Sequence, residues 1–315
     1  MQKLHVILSC TARKRASEPG YPRLRTVGRA PVPDRVDQWA ALVSTAPCRY
    51  LAANLYAGEY WQTGMELASR AESAGPIGVS VVSAGLGLVG THDEVPMYSA
   101  TLAARHPDSV LAASGSAAHS QVRRQWWDGL TRAALLGHHR PLRLVDLAEH
   151  ETNESVMVCI GRSYLDAVAV DLAALVERLG DPERAMVFAS GRPLAGLEGC
   201  WITVPGSLRL TLGGSRSSTS PRAAMAVLAE LGTSPPTAER ARSIVDTLAA
   251  TAGELPSFDR RRQCDDAILE WILDYLAEAP NGSRTAALRR FRDEGNACEQ
   301  ARFGRLFDDA REILA

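Results

Sequence analysis

Five short apolar runs, at 4–8, 79–83, 156–160, 186–189 and 201–204, alternate with stretches of helical spacing, and this alternation restricts the chain more than any single motif. Strands that resume in one direction after each helix build a mainly parallel sheet with helices on both faces, so the expected class is α/β. Helices are expected at 37–44, 60–73, 120–136 and 164–179, the last with Leu165, Val168, Leu172, Leu175, Val176 and Leu179 along one side. The run Thr233-Ser-Pro-Pro-Thr237 breaks the pattern, and the chain beyond it is helical. The expected organisation is an α/β domain over 1–235, a connecting segment over 236–256 and a small all-helical, helix-turn-helix-like domain over 257–315 that holds DNA with its last helix in the major groove, or else serves as a packing or dimer module. That last part reads as three helices, at 265–276, 284–294 and 297–314, with Ser283 as an N-cap and Gly295 as a stop.

Within this frame, 78–98 stands out. An apolar strand ends in a loop of small residues from Ser83 to Gly90, with Gly85, Gly87 and Gly90, that lets backbone approach a ligand, and His92, Asp93 and Glu94 come just beyond. In open α/β sheets ligands bind beyond the carboxyl ends of the strands. The other reading is that the glycines only turn the chain and the three ionisable residues form a solvated tip.

The 315 residues carry a net charge of −1, so no global field draws the chain to nucleic acid or membrane. The charge is uneven. Between positions 12 and 35 stand Arg13, Lys14, Arg15, Arg23, Arg25, Arg29 and Arg35 against Glu18 and Asp34, and between 199 and 229 only Arg209, Arg216 and Arg222 are charged. Such basic patches suit a polyanion held on one face. Only Lys3 and Lys14 among the 35 basic residues are lysines. The six cysteines show no CxxC spacing and read as reduced core residues, so no metal and no cofactor is expected. No run nears the roughly 20 apolar residues of a membrane span, and the first strand is no signal peptide, so the expected location is cytoplasmic.

Four clusters carry groups suited to chemistry. Ser9-Cys10-Thr11, with Arg13-Lys14-Arg15 just beyond, offers hydroxyls, a thiol and charge at a strand end. Tyr56, Tyr60 and Trp61 around Glu59 offer rings to stack on and a carboxylate that accepts from an exocyclic amine, or else a packed helix start. Ser114-Gly115-Ser116 leads into a helix with Arg123, Arg124, Trp126 and Trp127. Finally Arg209, Gly213, Gly214, Ser215 and Arg216 form an anion cradle before a helix at 223–231, or else a mobile linker; the GxxxxGK[ST] pattern is absent.

Taken in order, SCTARK at 9–14, NLYAGEYW at 54–61, VSAGLGLVGTHDEVPMYSATL at 82–102 and ASGSAAHSQVRRQWW at 113–127 resemble the bacterial peroxide-stress YaaA proteins and their relatives. The resemblance covers roughly residues 1–130 and implies a fold similar to uracil-DNA-glycosylase-like domains. With the trailing helical domain and the arginine/serine loop, it points to phage-defence DNA glycosylases that remove glucosylated hydroxymethylcytosine. The water-activating and leucine-loop motifs of true uracil glycosylases are absent, although His106-Pro107-Asp108-Ser109 superficially resembles the second. Catalytic residues are therefore not transferred by motif.

Chemistry supplies the candidates. Breaking an N-glycosidic bond builds positive charge on the sugar, which calls for a carboxylate: Asp93 first, Glu59 second. Base-binding candidates are Ser9, Cys10, Tyr56, Tyr60, Ser83, Gly85, His92 and Tyr98. Phosphate contacts are expected from Arg13, Lys14, Arg123 and the Arg209 to Arg216 loop, and from Arg284, Arg289 and Arg302 of the helical domain. Lys14 is assigned to phosphate rather than to a Schiff base. The expected partner is phage DNA with modified bases, with no membrane and no obligate protein partner. The rival readings are a base-transferase acting on free nucleotides and a DNA-binding stress protein that cleaves nothing.

Overall fold

The computed structural model describes residues 3–15, 19–75, 77–112, 118–137, 141–150, 155–232, 234–255 and 259–314. Ser114 to Ser116 and Thr233, parts of the motifs above, lie outside them. Contacts divide the chain into two units, Met1–Glu254 and Leu255–Ala315.

The first unit is α/β. Its elements run β1 (Leu4–Ser9), α1 (Val32–Ser44), β2 (Cys48–Leu51), α2 (Ala52–Leu55), α3 (Glu59–Ala74), β3 (Ile77–Ser83), β4 (Gly87–Gly90), β5 (Glu94–Pro96), α4 (His119–Ala133), α5 (Leu147–His150) and β6 (Ser155–Val158). They continue with α6 (Arg162–Leu179), β7 (Ala185–Ala189), β8 (Trp201–Thr203), α7 (Leu208–Leu212), α8 (Thr219–Leu231) and α9 (Ala238–Thr251). A six-stranded sheet has the order β4-β3-β1-β6-β7-β8. All neighbours are parallel except β4, which runs back along β3. β2 and β5 form a separate antiparallel pair. Every residue of β1, β6 and β7 is buried, as parallel strands covered on both faces require. The helices form two packed groups, α1 with α4 and α6, and α3 with α8 and α9.

Two expectations are corrected here. The segment 83–90 is not a loop open to a ligand. It is the turn of a hairpin, buried from Ser83 to Val89, in which Ser83 pairs with Gly87 and Ser80 with Gly90. Trp39 Nε1 donates to the Gly85 carbonyl (2.7 Å) and Trp126 Nε1 to that of Ala84 (2.8 Å). Nor is most of the expected connector at 236–256 a connector, since 238–251 forms α9. Thr237 caps α9 by accepting from the Arg240 amide, and Ala238, Ala241 and Val245 join the first unit's core while α9 packs on β7 and β8.

The second unit holds α10 (Asp265–Glu278), α11 (Arg284–Asp293) and α12 (Gln300–Ile313), with short parallel strands β9 (Arg261–Arg262) and β10 (Asn296–Ala297). Ser283 Oγ accepts from the Ala286 amide at the start of α11, and Gly295 lies just past its end at φ +82°. Ile268, Ile272, Phe291, Phe303, Leu306 and Phe307 fill a core of its own. Trp271 stacks on Tyr275 (5.6 Å), meets Phe291 edge-on (5.0 Å) and donates Nε1 to Glu294 (2.7 Å).

Candidate functional site at the carboxyl edge of the sheet

Because β1, β3 and β6 run in parallel, the residues that close them, Ser9-Cys10, Ser83-Ala84 and Cys159, meet along one edge. Tyr60, at the start of α3, ties two of these ends together: its hydroxyl accepts from the Ser9 amide (2.9 Å) and donates to the Cys159 carbonyl (2.5 Å). Tyr164, at the start of α6, places its hydroxyl 3.3 Å from Cys10 Sγ, which also accepts from the Ala84 amide (3.4 Å). On the β3 side, Ser83 Oγ and the Tyr98 hydroxyl lie 2.7 Å apart, and Tyr98 and Tyr56 share a hydrogen bond of 3.1 Å. Burial pushes the phenols of Tyr56, Tyr60, Tyr98 and Tyr164 well above the ordinary tyrosine value, so they stay protonated donors.

Lys14 covers this cluster. Its Nζ stands 4.4 Å from the centre of the Tyr98 ring and 5.1 Å from that of Tyr56, and donates to the Thr11 carbonyl (2.6 Å). The segment is strapped down by Ala57 N to Arg13 O (3.1 Å), Arg15 N to Leu55 O (2.9 Å) and Thr11 Oγ1 to Ala57 O (3.0 Å). Burial lowers the pKa of the Lys14 amine from the ordinary lysine value. Cys10, Ser83, Tyr56 and Tyr98 are buried, whereas Lys14 and Tyr60 are partly exposed. The cluster therefore reaches solvent through an amine and one phenol, and its buried members cannot stack on a base, contrary to the expectation for Tyr56 and Tyr98.

Around it runs a rim of arginines. Arg13 lies just past β1, Arg162 past β6, Arg192 past β7, and Arg209 and Arg216 past β8, so the ends of four adjacent strands each carry exposed positive charge. Arg162 pairs with Asp166 (3.0 Å); Arg13, Arg192, Arg209 and Arg216 pair with no acid among the described residues. An open groove of about 1000 Å³ leaves the rim at Arg162 and runs along α6 past Val170 and Ala173 to Gly180.

Glu59 sits at this edge, but it is a clamp. Its carboxylate accepts from the Ser215 amide (2.8 Å) and from Ser218 Oγ (2.8 Å), and Arg222 stands 3.5 Å away. The Ser215 amide, then the Ser218 hydroxyl, hold its pKa below the usual carboxylate value. The donors that the sequence offered to a phosphate are thus engaged partly by the protein's own acid. Gly213 and Gly214, at φ +71° and +78°, permit the closure; a Cβ on Gly214 would fall 2.5 Å from Glu59 Oε1.

Other candidates lie elsewhere. β4 carries the chain back to the amino-terminal edge, so Asp93 is not at the carboxyl ends; its Oδ2 accepts from the Gly90 amide (2.6 Å), and with His92, His5 and Glu72 it lines a second groove, of about 500 Å³. Gly85 is in the core against Tyr98 and Trp39. Arg123 is half-buried, bonding the Leu102 carbonyl (3.0 Å) and Asp166 (3.2 Å). In the second unit Arg284 pairs with Asp308 (2.6 Å) and Arg302 with Asp265, while Arg289 is exposed with no partner among the described residues. Sequence reasoning missed Tyr164, Arg162 and Arg192. Gly161-Arg162 and Gly191-Arg192 each come one or two residues after an apolar strand run, a signal that recurs and was legible.

Against protein-family models, curated proteins and solved structures, the chain has no match. Among the described residues no helix is long and apolar enough to cross a membrane, and no three His, Cys, Asp or Glu side chains are grouped to hold a metal ion.

Proposed function

We propose that the chain is a DNA glycosylase that holds nucleic acid on the arginine rim and excises a modified base, glucosylated hydroxymethylcytosine in phage DNA, at the carboxyl edge. The observation that carries this reading is the row of exposed arginines on the ends of adjacent strands, all but Arg162 without an acid partner among the described residues, around a largely buried cluster of phenols and thiol covered by the Lys14 amine. A row of guanidinium groups along one edge matches phosphates spaced along a strand, and a base turned out of the stack then faces the edge. The resemblance of the ordered motifs at 9–14, 54–61, 82–102 and 113–127 to the YaaA proteins is in keeping with the same reading. Of the two carboxylates considered from sequence, Glu59 is the one at this edge, where it can face the sugar cation only by giving up part of its clamp.

Two measurements test it. Mass spectrometry of bases released from several DNAs, hypermodified phage DNA among them, is expected to show a freed modified base; release from none overturns the activity. Replacing Arg13, Arg209 and Arg216 together by Ala is expected to weaken DNA binding and to flatten the dependence of log affinity on log salt by about 0.9 for each phosphate that is no longer neutralised. An unchanged slope removes the rim from the interface.

A further inference from the structure

Lys14 is the group of the edge cluster with neither a phosphate-binding position nor an acid partner among the described residues. Its Nζ does not project from the rim as the arginines do; it lies over the faces of Tyr98 and Tyr56, with the Thr11 carbonyl as its hydrogen-bonded neighbour. A lysine kept for phosphate gains from full hydration and free reach, whereas one held over apolar rings in a strapped loop has a fixed amine direction and a partly stripped shell. Around it stand groups that can donate protons but carry no negative charge, the phenols of Tyr56 and Tyr98 and the hydroxyl of Ser83. Among the described residues no carboxylate locks the amine as an ammonium ion, and burial lowers its pKa against a smaller opposing pull from Cys10. An amine held in one direction over two rings, its pKa lowered by burial and its neighbours neutral proton donors, is the arrangement of an imine-forming lysine.

We propose that Lys14 is a nucleophile that forms an imine with C1′ of a 2-deoxyribose in nucleic acid, so that the protein cuts the strand at abasic sites as well as releasing bases. This rests on the reading of the edge as a nucleic-acid site. With an abasic sugar, the Nζ lone pair adds to the C1′ aldehyde and the carbonyl oxygen leaves as water with both amine protons, giving C=N. Loss of a C2′ proton to solvent then forms a C–C double bond as the C3′–O bond breaks, and its electron pair leaves with the phosphate. Water returns the amine. No oxidant or reductant enters.

The sequence makes the test sharp, because Lys3 is the only other lysine. The intact protein is incubated with a duplex carrying one abasic site and with sodium borohydride, which reduces an imine to a stable secondary amine. The expected result is a covalent protein–DNA adduct, mapped by peptide mass spectrometry to Lys14, retained in Lys3→Arg and lost in Lys14→Arg. Mapping on the unaltered chain keeps the test independent of how the variant folds. Binding of the duplex without an adduct, or an adduct on Lys3 or the α-amino group, overturns the inference. Base release from modified DNA with no adduct leaves the glycosylase reading standing and removes the imine; an adduct with no base release from any DNA does the reverse. A duplex that is not bound at all overturns both.

Discussion

Gly85 illustrates how a residue's role depends on what faces it. From the sequence it is one of three glycines in a loop suited to a ligand; in the fold an added Cβ would stand 2.6 Å from the Tyr98 ring and 3.2 Å from Trp39. Both rings are fully buried, and the Tyr98 hydroxyl is held by Ser83 and Tyr56, so neither can swing aside. Gly85→Ala is expected to destabilise the protein by about 1–3 kcal/mol, the cost of overpacking a close-packed core. A urea midpoint equal to that of the parent would show that the rings shift freely. The same mutation moves the Tyr98 face on which Lys14 rests, so binding at the edge is expected to fall with stability. At this scale the sequence was legible in residue type and not in partner: Cys10, Tyr56, Tyr60, Ser83 and Tyr98 do gather, but as a hydrogen-bonded floor, because a tyrosine or thiol at a strand end reads the same whether it points up to solvent or down to a neighbouring strand.

Elements were legible where apolar periodicity was strong. The strand runs at 4–8, 79–83, 156–160, 186–189 and 201–204 all fall on strands of the sheet, and the amphipathic stretch at 164–179 on α6. β4 was not legible, since Gly87-Leu-Val-Gly90 is short and glycine-flanked, and with it went the position of Asp93: one antiparallel strand reverses the chain and delivers the acid to the opposite edge. α9 was hidden behind Pro235-Pro236, which reads as a boundary although the helix after it belongs to the same core. The loop before α8 was legible as glycine, serine and arginine but not as the target of Glu59, 156 residues earlier than Ser215. Glu59→Gln keeps the size of the clamp and removes its charge. It is expected to loosen this loop and speed limited tryptic cleavage after Arg209 or Arg216, read by mass spectrometry of the first fragments. An unchanged cleavage rate would show that the loop is held by α8 alone.

On the scale of the whole molecule, the described residues form two hydrophobic cores with no shared residue, one in the α/β unit and one among α10, α11 and α12. Units with separate cores have separate stabilities, and the second, with its 61 residues, is of a size that buries proportionately less surface. Two unfolding transitions are therefore expected, the helical unit melting first, and a single transition seen alike by all probes would show that the units unfold as one. The placement of Trp271 makes them separable by light. Trp39, Trp61, Trp126, Trp127 and Trp201 belong to the first unit, and Trp271, stacked on Tyr275 and bonded to Glu294, is the sole indole of the second. Its emission is a private signal of the helical unit within the intact chain, and the difference between the spectra of the parent and Trp271→Phe isolates it without cutting or labelling the protein.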